Sequence, residues 1–459
     1  MKPKQVLILA LLCVALIIGI ILKQSHKVPE LSTQEYAPLD LSFDSVKAAK
    51  LEILNGKNEK LVELAKIDSG WQVVNFNHAR SDQQKIDQLF NSIRSTKGEL
   101  RAKDKALFSD FGISDEQAYS VVVSDSAGAV LLNVKLGTKR PGSAVFLRQT
   151  NSDVVYYVAT DLFSQIGLND DPAKTPPKSD YWVSVSIVNF QTDDVKHLEA
   201  TRFENGQAIK TAQVSRQTDP NDLSKKTWQF ERKDLPFPLD SEKIKTFLNS
   251  IKMFPALKPL DPKAQNYGFD KPVWSLKLVL EDGKEIILTA GSVNAENQAR
   301  YVSVSTEPVA FELADYYFKT LDIDDSKFFV NNPLGIEPEK TTKLGLQAGP
   351  KKADIDVNGK PSDVVKSYLS NLQTISVGRL LWNEKEAKKL NGANVQTLTL
   401  QKDSGQAQTL KVGEIVSEQP KEYAARLSSG TAPFTISQAV FEAIFQNEGI
   451  FNSNEHAKN

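Results

Sequence analysis

The chain has 459 residues, with 56 Lys+Arg set against 57 Asp+Glu. That balance argues against a dedicated nucleic-acid binder, which carries a basic excess. The single cysteine, Cys13, excludes an intramolecular disulfide and a Cys-based zinc site. With 40% hydrophobic and 25% charged residues the composition is that of a folded globular protein, and the length suits roughly three domains of about 150 residues.

The first 27 residues stand apart. Lys2 and Lys4 precede the uncharged run VLILALLCVALIIGIIL, Val6–Leu22. As a helix this run spans roughly 26 Å at ~1.5 Å per residue, just short of a ~30 Å hydrocarbon core. Lys4 and Lys23 can snorkel to the two interfaces. A cleaved signal peptide fits less well, because no A-x-A-like site follows the run. A lipoprotein also fits less well, because Leu11 and Leu12 precede Cys13. The expectation is an uncleaved signal anchor over residues 1–27, a transmembrane helix. The positive charge ahead of the run leans toward an N-terminus inside and the remainder outside the cytoplasm.

Downstream, the octets IDQLFNSI (86–93) and IKTFLNSI (244–251) share one apolar spacing, and VKSYLSNL (365–372) keeps it. Apolar residues at i, i+3, i+4 and i+7 predict three amphipathic helices, with Ser81, Ser241 and Ser362 as N-caps. The surroundings repeat as well. GWQVV (70–74) matches TWQFE (227–231), and DFGI (110–113) matches NYGF (266–269). A hairpin pattern then recurs around Gly128, Gly283 and Gly405, and each copy closes on a short helix carrying Phe163, Phe318 or Phe441.

The predicted fold is therefore α+β: the anchor, then three tandem, mainly antiparallel sheet-plus-helix repeat domains of the form β-β-β-α-β-β-β-β-α. Their bounds are 41–168, 183–322 and 327–446, with a Pro-rich linker at 169–182 and a polar tail at 447–459. The third repeat is reduced, with ADIDVNGKPSD where the others place Trp71 and Trp228.

No catalytic, cofactor-binding or metal-binding signature emerges. The four histidines, His26, His78, His197 and His456, follow no ligand spacing, and neither a G-x-S-x-G elbow nor a phosphate loop is present. DIDD (322–325) reads as a polar turn between repeats, since a calcium loop needs a longer acidic series and a distal glutamate. GTKRPGS (137–143) reads as a mobile hairpin loop, with an anionic ligand at Lys139 and Arg140 as the alternative; the equivalent segments of the other repeats are not basic. Trp71, Trp228 and Trp274 sit in strand patterns and are expected in the core. Tyr181 and Trp182, just after the linker, are candidates for an exposed partner or ligand contact, with packing as the equal alternative.

The segments DDVKHLEATRF (193–203) and TWQFERKDLPFPLDSEKIKTFLNSI (227–251) carry a family likeness. With the N-terminal anchor and the repeated units, the chain resembles bacterial membrane-anchored repeat proteins of the domain of unknown function 4340. The resemblance implies a single-pass protein of the bacterial inner membrane with most of the chain periplasmic or otherwise extracytoplasmic. It further implies a non-enzymatic accessory or scaffold role beside an ABC-type permease and its auxiliary protein. It supplies no catalytic residues to carry over. The expected partners are envelope membrane proteins and, through residues 6–22, the lipid bilayer; nucleic acid is not among them. The rival expectation is a polysaccharide- or lipid-binding envelope module.

Overall fold

In the computed structural model the described residues are 36–219, 222–358, 361–392 and 394–453. The anchor expected over residues 1–27 lies outside them. Among the described residues no helix is long and apolar enough to cross a membrane. The chain divides into two compact units, Met1–Ser184 and Val185–Asn459.

The first unit is built on a ten-stranded antiparallel sheet. Its first long strand, Lys50–Leu54, lies between Lys60–Ile67 and Tyr119–Ser124. Strict alternation along KLEIL sends Leu51 and Ile53 into the core and keeps Glu52 at the surface side, as a half-buried strand requires. Past Tyr119–Ser124 the hairpin strands Val130–Leu136, Val145–Gln149 and Val155–Val158 follow in sequence order. The Asp/Gly turn between the first two is held by Asp125, whose Oδ1 accepts from the amides of Ala127 and Ala129, while Gly128 takes φ 87°.

The second unit carries an eight-stranded and a six-stranded sheet. Both repeat the rule of the first. Val195–Glu204 lies between Gln207–Asp219 and Trp274–Leu280, and Thr341–Ala348 lies between Lys351–Asp356 and Gln396–Lys402. The mainly antiparallel sheet expectation thus holds in all three sheets. The strand count differs from the expected pattern. An extra short strand follows the first two helices (Lys97–Ala102 and Lys258–Leu260), and among the described residues the six-stranded sheet has neither it nor a third strand before the helix. Near that missing strand, VNGKPSD has no apolar alternation from which to build one.

The three octets form the helices Gln83–Arg94, Ser241–Lys252 and Asp363–Gln373. Each buries the four residues that its spacing selects, for instance Ile86, Leu89, Phe90 and Ile93 in the first. Trp71 packs edge-on against Phe90 at 6.2 Å, which is why the W-Q strand and the helix travel together in the sequence. The caps are corrected in two of three cases. Asp82 and Asp240, not Ser81 and Ser241, accept the free amides of Gln84 and Glu242, and Ser362 alone caps as expected. The Ser81 backbone bridges to Val183, while its hydroxyl is buried without a hydrogen-bond partner. Asp82→Ala and Asp240→Ala are each expected to cost about 1 kcal/mol, against under ~0.5 kcal/mol for Ser81→Ala and Ser241→Ala. Urea midpoints of the four variants check this, and a larger loss from the serines would return the caps to them.

Two segments expected to be polar connections are folded. In the linker, the Tyr119 hydroxyl donates to the Pro172 carbonyl at 2.8 Å. In the tail, Glu448–Ser453 is a helix whose Ile450 and Phe451 join the core of the third sheet, because this adjacent apolar pair outweighs its polar neighbours.

Candidate functional site

The four residues singled out in the sequence fall in the first unit and are not gathered into one pocket. Arg140 pairs with Asp161 at 2.5 Å, its guanidinium 5.7 Å from the Phe163 ring centroid, while Asp161 also caps the helix Leu162–Gln165. Of the two basic residues of that loop only Lys139 is left exposed. The expectation of an exposed contact at Trp182 is corrected, since this side chain is 0% exposed. Tyr181 is half-buried, its hydroxyl donating to the Ser164 carbonyl and its ring crossing Trp182 at 87°. Gly167 explains the packing. At φ 80° it has no side chain, and a Cβ there would fall 2.3 Å from the Tyr181 ring.

A denser arrangement of polar groups lies in the second unit, around the segment read as a turn, Asp322–Asp325. Asp322 accepts from Arg202 Nη2 at 3.0 Å. Asp324 Oδ1 accepts from the amide and hydroxyl of Ser326, and its Oδ2 accepts from the Leu380 amide at 2.9 Å, ahead of the third sheet's inner strands. Asp325 is 0% exposed; its carboxylate accepts from the Gln213 amide of the second sheet at 2.8 Å, while Oδ2 is buried without a hydrogen-bond partner. Asp325 therefore holds a strand of the second sheet, and Asp324 the backbone of Leu380, which bridges to Phe434 of the third. Burial raises both: Asp324 above the ordinary carboxylate range, and Asp325 to about 7, where the Gln213 amide and Arg232 oppose the rise and Asp324 and Asp234 add to it. The polar-turn reading of DIDD is corrected accordingly.

Arg232 connects this clasp to the surface. It forks onto Asp234, with Nε to Oδ1 at 2.9 Å and Nη2 to Oδ2 at 2.6 Å, and it lies 4.3 Å from the ring centroid of Trp382. The pairing holds the Asp234 carboxyl below its usual range. Trp382 in turn borders a cleft of about 480 Å³. One wall is the hairpin tip with Arg202 and Gln207; the other is the stretch with Arg379, Asn383 and Glu386. Arg379 grips Glu386 through both terminal nitrogens, at 3.1 and 2.8 Å, and its Nε lies 3.5 Å from Glu422.

Neither the clasp nor the cleft was recognised in the sequence. The clasp was hidden because three aspartates among four residues resemble a solvated turn. A signal for the cleft was present in Trp382, which is absent from the W-Q positions of the repeat. Among the described residues no cluster of His, Cys, Asp and Glu could hold a metal ion. His78 is exposed, and His197 places Nδ1 2.9 Å from Glu231.

A family model described as a domain of unknown function (DUF4340) matches the chain twice, over residues 71–272 and 228–391. Each match opens on the tryptophan of a W-Q strand, Trp71 or Trp228. No curated protein and no solved structure matches.

Proposed function

The chain belongs to the family of the domain of unknown function DUF4340, and on that footing we propose that it is a non-enzymatic, membrane-tethered scaffold. In this reading the run Val6–Leu22 anchors it in a bacterial inner membrane, and the folded units outside the cytoplasm engage an ABC-type permease and its auxiliary protein. The observation that carries the reading is the joining of the second and third sheets. Phe237 from the second repeat, Phe329 from the connection and Phe434 from the third sheet form one buried aromatic chain, with centroids 4.9 and 5.0 Å apart. A repeated module welded to its neighbour presents a wide surface in a fixed geometry, so that several weak contacts act together.

Cross-linking in intact cells, followed by affinity capture of the full chain from solubilised membranes, tests this. A permease and an ATPase subunit should be recovered in near-stoichiometric amounts, and recovery should fall at least tenfold when residues 1–27 are exchanged for a cleavable leader. Recovery of no envelope transport protein overturns the reading.

A further inference from the structure

The cleft beside Trp382 has the size and chemistry of a small-ligand site, and this inference does not rest on the scaffold reading. Its volume of about 480 Å³ falls within the ~300–1,000 Å³ of such sites. Its charges are already spent. Arg379 is forked onto Glu386, Arg202 is held by Asp322 at 3.0 Å, and the remaining lining charge, the exposed Glu204, lies 4.0 Å from Arg202 Nη1. A phosphate or carboxylate entering the cleft would have to break one of these pairs, and so would a cation seeking Glu386. The apolar lining consists of Trp382 and Ile209, too little to bury an acyl chain.

What remains unspent is neutral and directional. The hairpin tip presents the amides of Asn205 and Gln207, fixed by a turn in which Asn205 and Gly206 take φ 51° and 79°. On the opposite wall the Asn383 carbonyl oxygen caps the following helix by accepting the Lys385 amide at 2.8 Å, which leaves its NH₂ to donate. On the same wall stands Trp382, half-buried against the third core and fixed on one face by the Arg232 guanidinium. A rigid indole flanked by amides matches a ligand with apolar C–H faces and a rim of hydroxyls, each able to donate and to accept.

We propose that this cleft is a saccharide-binding site taking one or two rings of a neutral glycan, with Trp382 as the stacking platform and Gln207 and Asn383 as hydrogen-bonding rims. The fixed walls limit the ordering cost of binding.

The test is calorimetric titration of the full chain with an array of neutral mono- to tetrasaccharides covering gluco-, galacto-, manno- and N-acetylated units. Inositol hexakisphosphate serves as the anionic arm. At least one neutral member should bind saturably with a Kd on the order of 1 mM or tighter. Trp382→Ala should weaken it at least tenfold. Gln207→Ala, at an exposed hairpin tip where folding is not at stake, should weaken it about threefold or more. The proposal is overturned if no neutral member binds by about 10 mM, if both variants bind like the parent, or if the hexakisphosphate displaces every neutral ligand.

Discussion

Replacing Phe329 with alanine is expected to lower the stability of the second unit by about 3–5 kcal/mol, the cost of emptying a large aromatic site in a core. It should also separate the unfolding of the second and third sheets into two transitions. Phe329 is 2% exposed and packs edge-on against Phe230 at 5.6 Å and Phe237 at 4.9 Å. Its backbone is held equally firmly. The carbonyl accepts from Lys243 Nζ at 2.6 Å, and the next amide, Val330, donates to the Pro238 carbonyl at 3.1 Å. The ring is thus fixed by the second repeat while it fills the core of the third sheet. Removing it strips the connection of its ring contacts to Phe230 and Phe237 and leaves Phe237 against Phe434 without the partner that braces it from the other side. Calorimetric scans and urea midpoints of the full chain check this, with Phe163→Ala as the control that should weaken only the first unit. One unsplit transition with a loss below about 1 kcal/mol would show that the sheets are coupled elsewhere.

The same segment shows where the sequence was readable. Ile244, Phe247, Leu248 and Ile251 were legible because helical burial imposes a spacing that survives in three copies. The hairpins were legible because their turn glycines sit between alternating strands. The caps were missed by one residue because Asp and Ser stand side by side before the first two helices, and either can accept an orphan amide. Burial of polar residues was not legible. Asp324 and Asp325 look like a solvated turn until tertiary packing brings the Leu380 and Gln213 amides to them. Trp182 misled for the opposite reason. It follows a Pro-rich stretch that suggests exposure, yet the bridge from Ser81 to Val183 draws it inside. Trp382 carried the one usable hint of the cleft, but its partners Arg232 and Arg202 lie 150 and 180 residues earlier in the chain, beyond the reach of any local pattern.

Asp325→Asn is expected to remove a pH dependence from the second unit. The Asp325 carboxyl is raised from the ordinary 3.8 to about 7 by burial. The folded state therefore holds this proton more tightly than the unfolded chain does. Stability contributed by the group is fully present below about pH 4, falls as pH rises toward 7, and is flat beyond. The whole decline amounts to at most about 4 kcal/mol. Asparagine keeps the carbonyl that accepts the Gln213 amide and carries no charge. The variant should match the parent at about pH 4 and exceed it at pH 8 by about 2 kcal/mol or more, read as urea midpoints at fixed ionic strength. Asp324, also raised by burial, retains a slope of the same sign in the variant. Salt distinguishes this origin from surface charge. A carboxyl at 0% exposure is screened little by added salt, so the difference between parent and variant at pH 8 should persist from 0.05 to 0.5 M NaCl. Parallel pH profiles for the two proteins would place the charge elsewhere. A persistent difference locates it at the joint where Asp325 holds the Gln213 amide of the second sheet and Asp324 the Leu380 amide that bridges to the third, beside the arginine that backs the wall of the cleft.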